Sequence, residues 1–252
     1  MIRKLIFSLT FFLVAFLLSA QSFSGDCFLQ AKQLFQEEKY GLSQQLYQKI
    51  YTDNLATNEQ KEEALFHIAI CSKQLFNEDT KFWFDKFLNT YPYSSKTNSA
   101  NYELGLFYFR QVNYPFALDY FQKCDNKTNE YHFKLAYTYF VLDSLESSKY
   151  YFSKLLNTDS KYTAASQYFY AHITYKQKHF KTALAGFFKL KEDKSFASIV
   201  PYYISQIYFL QKRYDDLIAY AKPMLDKVIT SREAELNRMI AEALYRKKDY
   251  QS

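Results

Sequence analysis

Residues equipped for catalysis are sparse in this sequence and poorly spaced for it. The four histidines are His67, His132, His172 and His179. His172 and His179 stand seven apart, but neither has an acidic or cysteine neighbour at metal-ligand spacing. Carboxylates occur as adjacent pairs, Glu37-Glu38, Glu62-Glu63 and Asp215-Asp216. Adjacent side chains on a helix point in different directions, so such pairs do not converge on one site. No HExxH or GxSxG occurs, and four glycines are too few for a Gly-rich phosphate loop of the usual form. The sequence therefore predicts no enzyme, no metal site and no small-molecule cofactor. What it holds in quantity is aromatic surface: 25 Tyr and 25 Phe, with one Trp. Rings of this kind anchor contacts, so the chemistry on offer is recognition.

Helices must position those rings. Hydrophobic residues make up 48% of the chain, which excludes disorder, and four Gly with four Pro leave little material for many tight turns and sheets. The stretch Phe87 to Phe121 shows the organising pattern: Leu104-Gly105, Tyr108, Asn113-Tyr114, then Ala117 and Phe121. Two small residues twelve apart, flanked by aromatics, let two antiparallel helices cross closely while the rings fill the space around the crossing. The pattern recurs. Small residues of successive first helices align as Ala31, Ala69, Gly105, Ala136, Ala171, Ser205 and Ala241, with spacings of 38, 36, 31, 35, 34 and 36.

The second-helix partners are Ser43, Thr80, Ala117, Ser148, Ala183 and Leu217, each followed four residues on by Tyr47, Phe84, Phe121, Phe152, Phe187 and Ala221. In the sixth unit the large and small partners exchange places. Polar pairs before an aromatic mark most reversals, as in Lys178-His179-Phe180 and Lys212-Arg213-Tyr214. Thr57 or Asn54 is expected to cap a helix, Pro201 to lie in a first turn, and Pro223 to kink or end a helix. The last first helix is expected from about Ser231 to Lys248, with Tyr250 announcing a second helix not contained in the sequence. The expectation is an array that continues, or an uncovered edge able to self-associate.

The N-terminus reads separately. Met1 to Lys4 is a short basic start, Leu5 to Leu18 is apolar, and Ser19-Ala20-Gln21 supplies a polar exit. That run is short of the roughly 20 residues a membrane span needs, and fits a signal peptide over residues 1–20. Retention as an anchor is the alternative. Removing Arg3 and Lys4 from the net charge of +6 leaves +4, with lysines spread along every segment, so no nucleic-acid partner is expected. Cys27, Cys71 and Cys124 have no CxxC spacing and fall at inward-leaning positions, where a free thiol acts as a small apolar group. Asn126-Lys127-Thr128 is a glycosylation sequon only where a host has that machinery.

The period near 34, with Tyr102-Glu103-Leu104-Gly105, Tyr108, Tyr114, Ala117 and Phe121, resembles the tetratricopeptide repeat family over roughly residues 25 to 252. Phe87 to Ser94 followed by Tyr102 is similar to the variant in exported bacterial envelope proteins, such as the Tol–Pal coordinator and the outer-membrane assembly lipoprotein. The lipobox of the latter is absent, since Asp26 precedes Cys27. The resemblance implies an all-α, right-handed superhelical solenoid of about six and a half hairpins across residues 21–252. It implies a concave groove lined by Tyr102, Phe109, Phe133, Phe140, Tyr168, Tyr175, Tyr202 and Phe209. It also implies an exported, periplasmic or outer-membrane-associated scaffold holding a peptide or protein partner of the envelope. The alternative is the N-terminal arm of a larger exported enzyme or glycan-binding protein.

Overall fold

Each helix boundary has a local cause. The computed structural model describes residues 26–125, 127–225 and 232–247; the expected leader, Asn126 of the sequon and Tyr250 lie outside them. Among the described residues every regular element is helical. The first is α1, residues 26–36, followed by α2 (Tyr40–Thr52), α3 (Asn58–Gln74), α4 (Thr80–Thr90), α5 (Thr97–Arg110) and α6 (Tyr114–Gln122). Then come α7 (Asn129–Val141), α8 (Leu145–Ser153), α9 (Thr163–Lys176), α10 (Phe180–Phe188), α11 (Val200–Leu210), α12 (Tyr214–Ala221) and α13 (Glu233–Arg246).

Thr57 begins α3 with a capping box: its hydroxyl accepts from the Gln60 amide at 3.2 Å, and the Gln60 side chain accepts from the Thr57 amide at 2.9 Å. Pro201 sits in the first turn of α11, where its missing donor costs nothing. Asp215 and Asp216 occupy the first turn of α12, at the positive end of its dipole. Helix α12 stops at Ala221 and gives way to a 3-10 turn, Lys222–Met224, that contains Pro223. The last first helix is two residues shorter at each end than expected.

The chain forms two compact units, one up to residue 126 and one from 127. In the first, α5 packs on α6 and α3 on α4; in the second, α7 on α8, α9 on α10 and α11 on α12. The small-residue crossings are present. Ser43 Oγ donates to the Ala31 carbonyl at 2.9 Å, and Ser148 Oγ donates to that of Ala136 at 2.8 Å. A Cβ on Gly105 would lie 2.5 Å from the Phe121 ring, and one on Gly186 would lie 2.8 Å from the Ala171 Cβ. Tyr47, Phe84, Phe121, Phe152 and Phe187 are each wholly buried, as are Leu217 and Ala221, which exchange sizes in the sixth hairpin. Cys71 and Cys124 are buried and Cys27 is half-buried; none of the three is in a disulfide.

The turns inside the hairpins have a device that composition conceals. Glu38, Phe76, Val112, Asp143, Lys178 and Lys212 all have φ between 56° and 61°, the left-handed region. Each ends a first helix in a Schellman arrangement, in which the next amide reaches back five residues: Lys39 to Leu34, Asn113 to Tyr108, His179 to Thr174. Glycine fits there without cost, yet none of the six is glycine. Val112, β-branched with φ 61°, carries the clearest strain.

Two substitutions test this geometry with opposite signs. Val112→Gly is expected to stabilise the chain by about 1 kcal/mol through relief of the left-handed strain. Gly105→Trp drives a bulky group into the Phe121 ring and is expected to destabilise by about 3 kcal/mol, with loss of cooperativity. Urea melts read both, and unchanged midpoints would contradict the crossing and the turn.

Candidate interaction site

The eight groove residues named from the sequence are all half-buried, because each gives one side of its ring to its own neighbourhood. Tyr102, Phe133 and Tyr168 lean on the buried ring of their own second helix: Phe121 at 6.1 Å, Phe152 at 5.8 Å and Phe187 at 6.3 Å between centroids. Tyr202 has no such ring beneath it, since Ala221 stands there. It meets Tyr203 edge-on at 5.3 Å and lies under the Arg232 guanidinium at 4.4 Å. Phe109, Tyr175 and Phe209 contact the aromatic that follows their hairpin turn, namely Tyr114, Phe180 and Tyr214, at 5.6, 6.2 and 6.2 Å. The fourth hairpin has Leu145 at that place, and Phe140 packs instead on Phe169 of α9 at 5.0 Å.

Five of the eight come together in the second unit. Phe133 and Phe140 join through Tyr137 and Phe169, and Phe140 reaches His172 at 5.8 Å. His172 lies 6.1 Å from Tyr168, 6.3 Å from Tyr175 and 5.3 Å from Tyr203, which in turn meets Tyr202. The result is a continuous face of ring edges on α7, α9 and α11. Tyr102 and Phe109 belong to the first unit, where both touch Phe121. Phe209 pairs with Tyr214.

Sequence reasoning missed the connecting rings Tyr137, Phe169, His172 and Tyr203, which lie between the stripe positions. It also missed Phe28, Phe35 and Phe66. These stand at the same offsets from Ala31 and Ala69 as the named rings do from theirs, so the alignment already contained them. In the second hairpin the place of the other ring is taken by Lys73, which pairs with Glu103.

Arg232 and Lys176 bring positive charge to the ring face. Arg232 covers Tyr202 and Tyr203, and Lys176 at the end of α9 pairs with Asp143 at 3.2 Å. A cleft of about 330 Å³ opens beside it, lined by Tyr175, Lys176, Lys178, Phe180 and Leu210. Burial above all, then Lys176 and Arg232, hold the His172 pKa below its ordinary 6.5, so the ring is neutral near pH 7. Its Nδ1 is enclosed without a hydrogen-bond partner. Burial raises the Tyr168 pKa, aided by the 3.4 Å hydrogen bond it donates to Tyr203, so that phenol stays protonated. Such a surface can receive apolar or aromatic side chains. Among the described residues no group of three His, Cys, Asp or Glu could hold a metal ion. No described helix is long and apolar enough to cross a membrane.

The helix at the C-terminal side shows a different surface. α13 buries Leu236, Met239, Ile240 and Ala243 against its neighbours α11 and α12. Ala234, Arg238, Ala241 and Tyr245 remain exposed on the side where earlier hairpins receive their second helices.

The histidines set a pH dependence. His67, His132 and His172 all have pKa values lowered mainly by burial. The unfolded chain therefore takes up protons first as pH falls, so this stability is complete above about 6.5 and is lost below it. The melting temperature is expected to fall between pH 6.5 and 5, and His172→Gln to make that fall shallower. Equal slopes for variant and parent would contradict the burial of His172.

No protein-family model matches the sequence, and no curated protein is detectably similar to it in sequence. Solved structures do resemble it. A tetratricopeptide repeat protein from Parabacteroides merdae ATCC 43184 superposes with a TM-score of 0.55 at 10% identity, over 90% of this chain and 87% of that one. The apo form of RapI gives 0.52 at 14% identity over 90% and 72% of the two chains. A chain of the Naa15/Naa10 structure bound to HypK-THB gives 0.56 at 14% over 88% of this chain and 39% of that one. At these identities the likeness is one of fold: the protein is an all-helical array of hairpins of the tetratricopeptide-repeat kind.

Proposed function

We propose that the protein is a non-catalytic scaffold that holds a peptide or protein partner on the ring face of α7, α9 and α11. The observation that carries this is the linked set Phe133, Phe140, Tyr168, Tyr175 and Tyr202, whose rings are anchored on one side and accessible on the other. Rings already held in place lose little conformational freedom on binding, so more of their contact energy appears as affinity. The neutral His172 and the surrounding rings suit a partner segment with apolar or aromatic anchors. The fold supports the reading, since hairpin arrays expose long rigid surfaces, and one structural neighbour is a Naa15/Naa10 assembly bound to HypK-THB. Export is part of the proposal. The apolar run Leu5 to Leu18 before Ser19-Ala20 supports a signal peptide and residence in the cell envelope, as does the likeness of residues 87–105 to envelope proteins.

The test is crosslinking capture from envelope fractions by the mature chain, compared with the Tyr168→Ala/Tyr202→Ala variant. A partner enriched by the parent and reduced at least tenfold by the double variant is expected, with circular dichroism confirming that both are folded. Equal recovery by both proteins would remove the ring face from the interaction.

A further inference from the structure

Charge is not spread evenly, contrary to the expectation from the sequence. Residues 145–199 contain nine Lys against four acids, a net +5 of the chain's +6, whereas residues 26–125 contain ten Lys and Arg against thirteen acids, a net −3. The excess surrounds α8 and α10, the second helices of two consecutive hairpins. One lysine there is periodic. Lys49, Lys86, Lys123, Lys154 and Lys189 stand six residues after the small residue of five consecutive second helices.

The helix dipole explains a cation near a helix C-terminus. It does not explain the rings beneath. Trp83, Tyr120 and Tyr151 each precede the lysine by three, with the ammonium 5.3, 4.8 and 5.2 Å from the ring centroid. Nor does it explain α10, which has Lys181 and Lys189 and no acid of its own.

On α8 and α10 the lysines are free to act outward. Lys154, Lys181 and Lys189 are exposed and form no ion pair among the described residues, unlike Lys149, which pairs with Glu146. Tyr150, 57% exposed, lies under Lys154 at 4.5 Å, and Phe188, 36% exposed, ends α10 beside Lys189. Neither ring is needed for the core, which Phe152 and Phe187 already fill. Clefts of about 420 and 330 Å³ open beyond the two ends of α10: Lys191, Glu192 and Lys194 line the first, where Lys191 pairs with Glu192, and Tyr175, Lys176 and Lys178 line the second, where Lys176 pairs with Asp143.

We propose that the outer side of α8 and α10 docks on an anionic lipid surface. Unpaired ammonium groups on long apolar stems, set among exposed Tyr and Phe, match a headgroup layer in both charge and polarity: the ammonium meets phosphate while stem and ring enter the interface. Cations and rings on two successive second helices suit an extended anionic surface. Lys154, Lys181 and Lys189 lie off the ring face, which meets this side only at Tyr175 in the cleft at one end of α10, so variants of these lysines and of Tyr168 with Tyr202 test the two proposals separately.

Sedimentation with phosphatidylcholine vesicles, with and without phosphatidylglycerol, tests this on the full mature chain. Binding is expected only to the phosphatidylglycerol vesicles, weakening as salt rises. Lys154→Glu/Lys181→Glu/Lys189→Glu is expected to lower partitioning by at least a hundredfold, at about fivefold for each lysine lost. The charge-matched Lys32→Glu/Lys39→Glu/Lys81→Glu variant should reduce it far less. Replacing the first three by Gln gives a milder variant, with the same direction of change, should the Glu version fail to fold. Absent binding, equal binding to neutral vesicles, or equal loss in both Glu variants would overturn the proposal. So would competition by soluble polyglutamate at concentrations below those of the lipid, which would identify an acidic polypeptide as the ligand.

Discussion

Two helices can approach closely only where neither presents a side chain of any size, and the whole chain is built on repeating that condition. Ala31 with Ser43, Gly105 beneath Phe121, Ala136 with Ser148, and Ala171 against Gly186 each mark a crossing. In the first five hairpins a large ring one turn further along the second helix is sealed completely. Burying such a ring contributes roughly 2–3 kcal/mol, and the tight crossing is what encloses it. A hairpin alone leaves its outer sides wet, so the crossings must be stacked before they are stable.

The same arrangement explains why the aromatic content is high without implying a catalyst. Several first helices place one ring on the buried ring of their partner and another against the residue that follows their turn. Tyr168 on Phe187, and Phe109 on Tyr114, fill those two roles. Rings placed for packing still show an edge to solvent, and where consecutive hairpins bring such edges together, as around His172, a continuous aromatic surface results. The sixth hairpin departs from the rule. With Ala221 in place of a ring, Tyr202 is held by Arg232 instead, and a cation enters the aromatic face.

The period, the crossing residues and the exchange of sizes at Leu217 and Ala221 were all legible, because each is a strong steric demand at a regular interval. The candidate surface was legible in part. Stripe positions followed from the seven-residue spacing, but Tyr203 and Phe169 sit between stripes and are joined to them only by the packing of adjacent hairpins. The left-handed turns were illegible, because the usual marker is glycine and this chain uses Glu, Phe, Val, Asp and Lys there. Backbone hydrogen bonds enforce that conformation whatever the side chain. The crowding of lysines around α10 was missed for a simpler reason. Charges counted along the chain look even until they are assigned to elements.

Those six turns have a cost that extends beyond their own loops. A left-handed residue other than glycine forgoes about 1 kcal/mol, and six together forgo a sum close to the entire net stability of an ordinary domain. The array is thus less stable than its crossings alone would make it. Because the loss is divided among separate hairpins, fraying can begin in one without committing the rest.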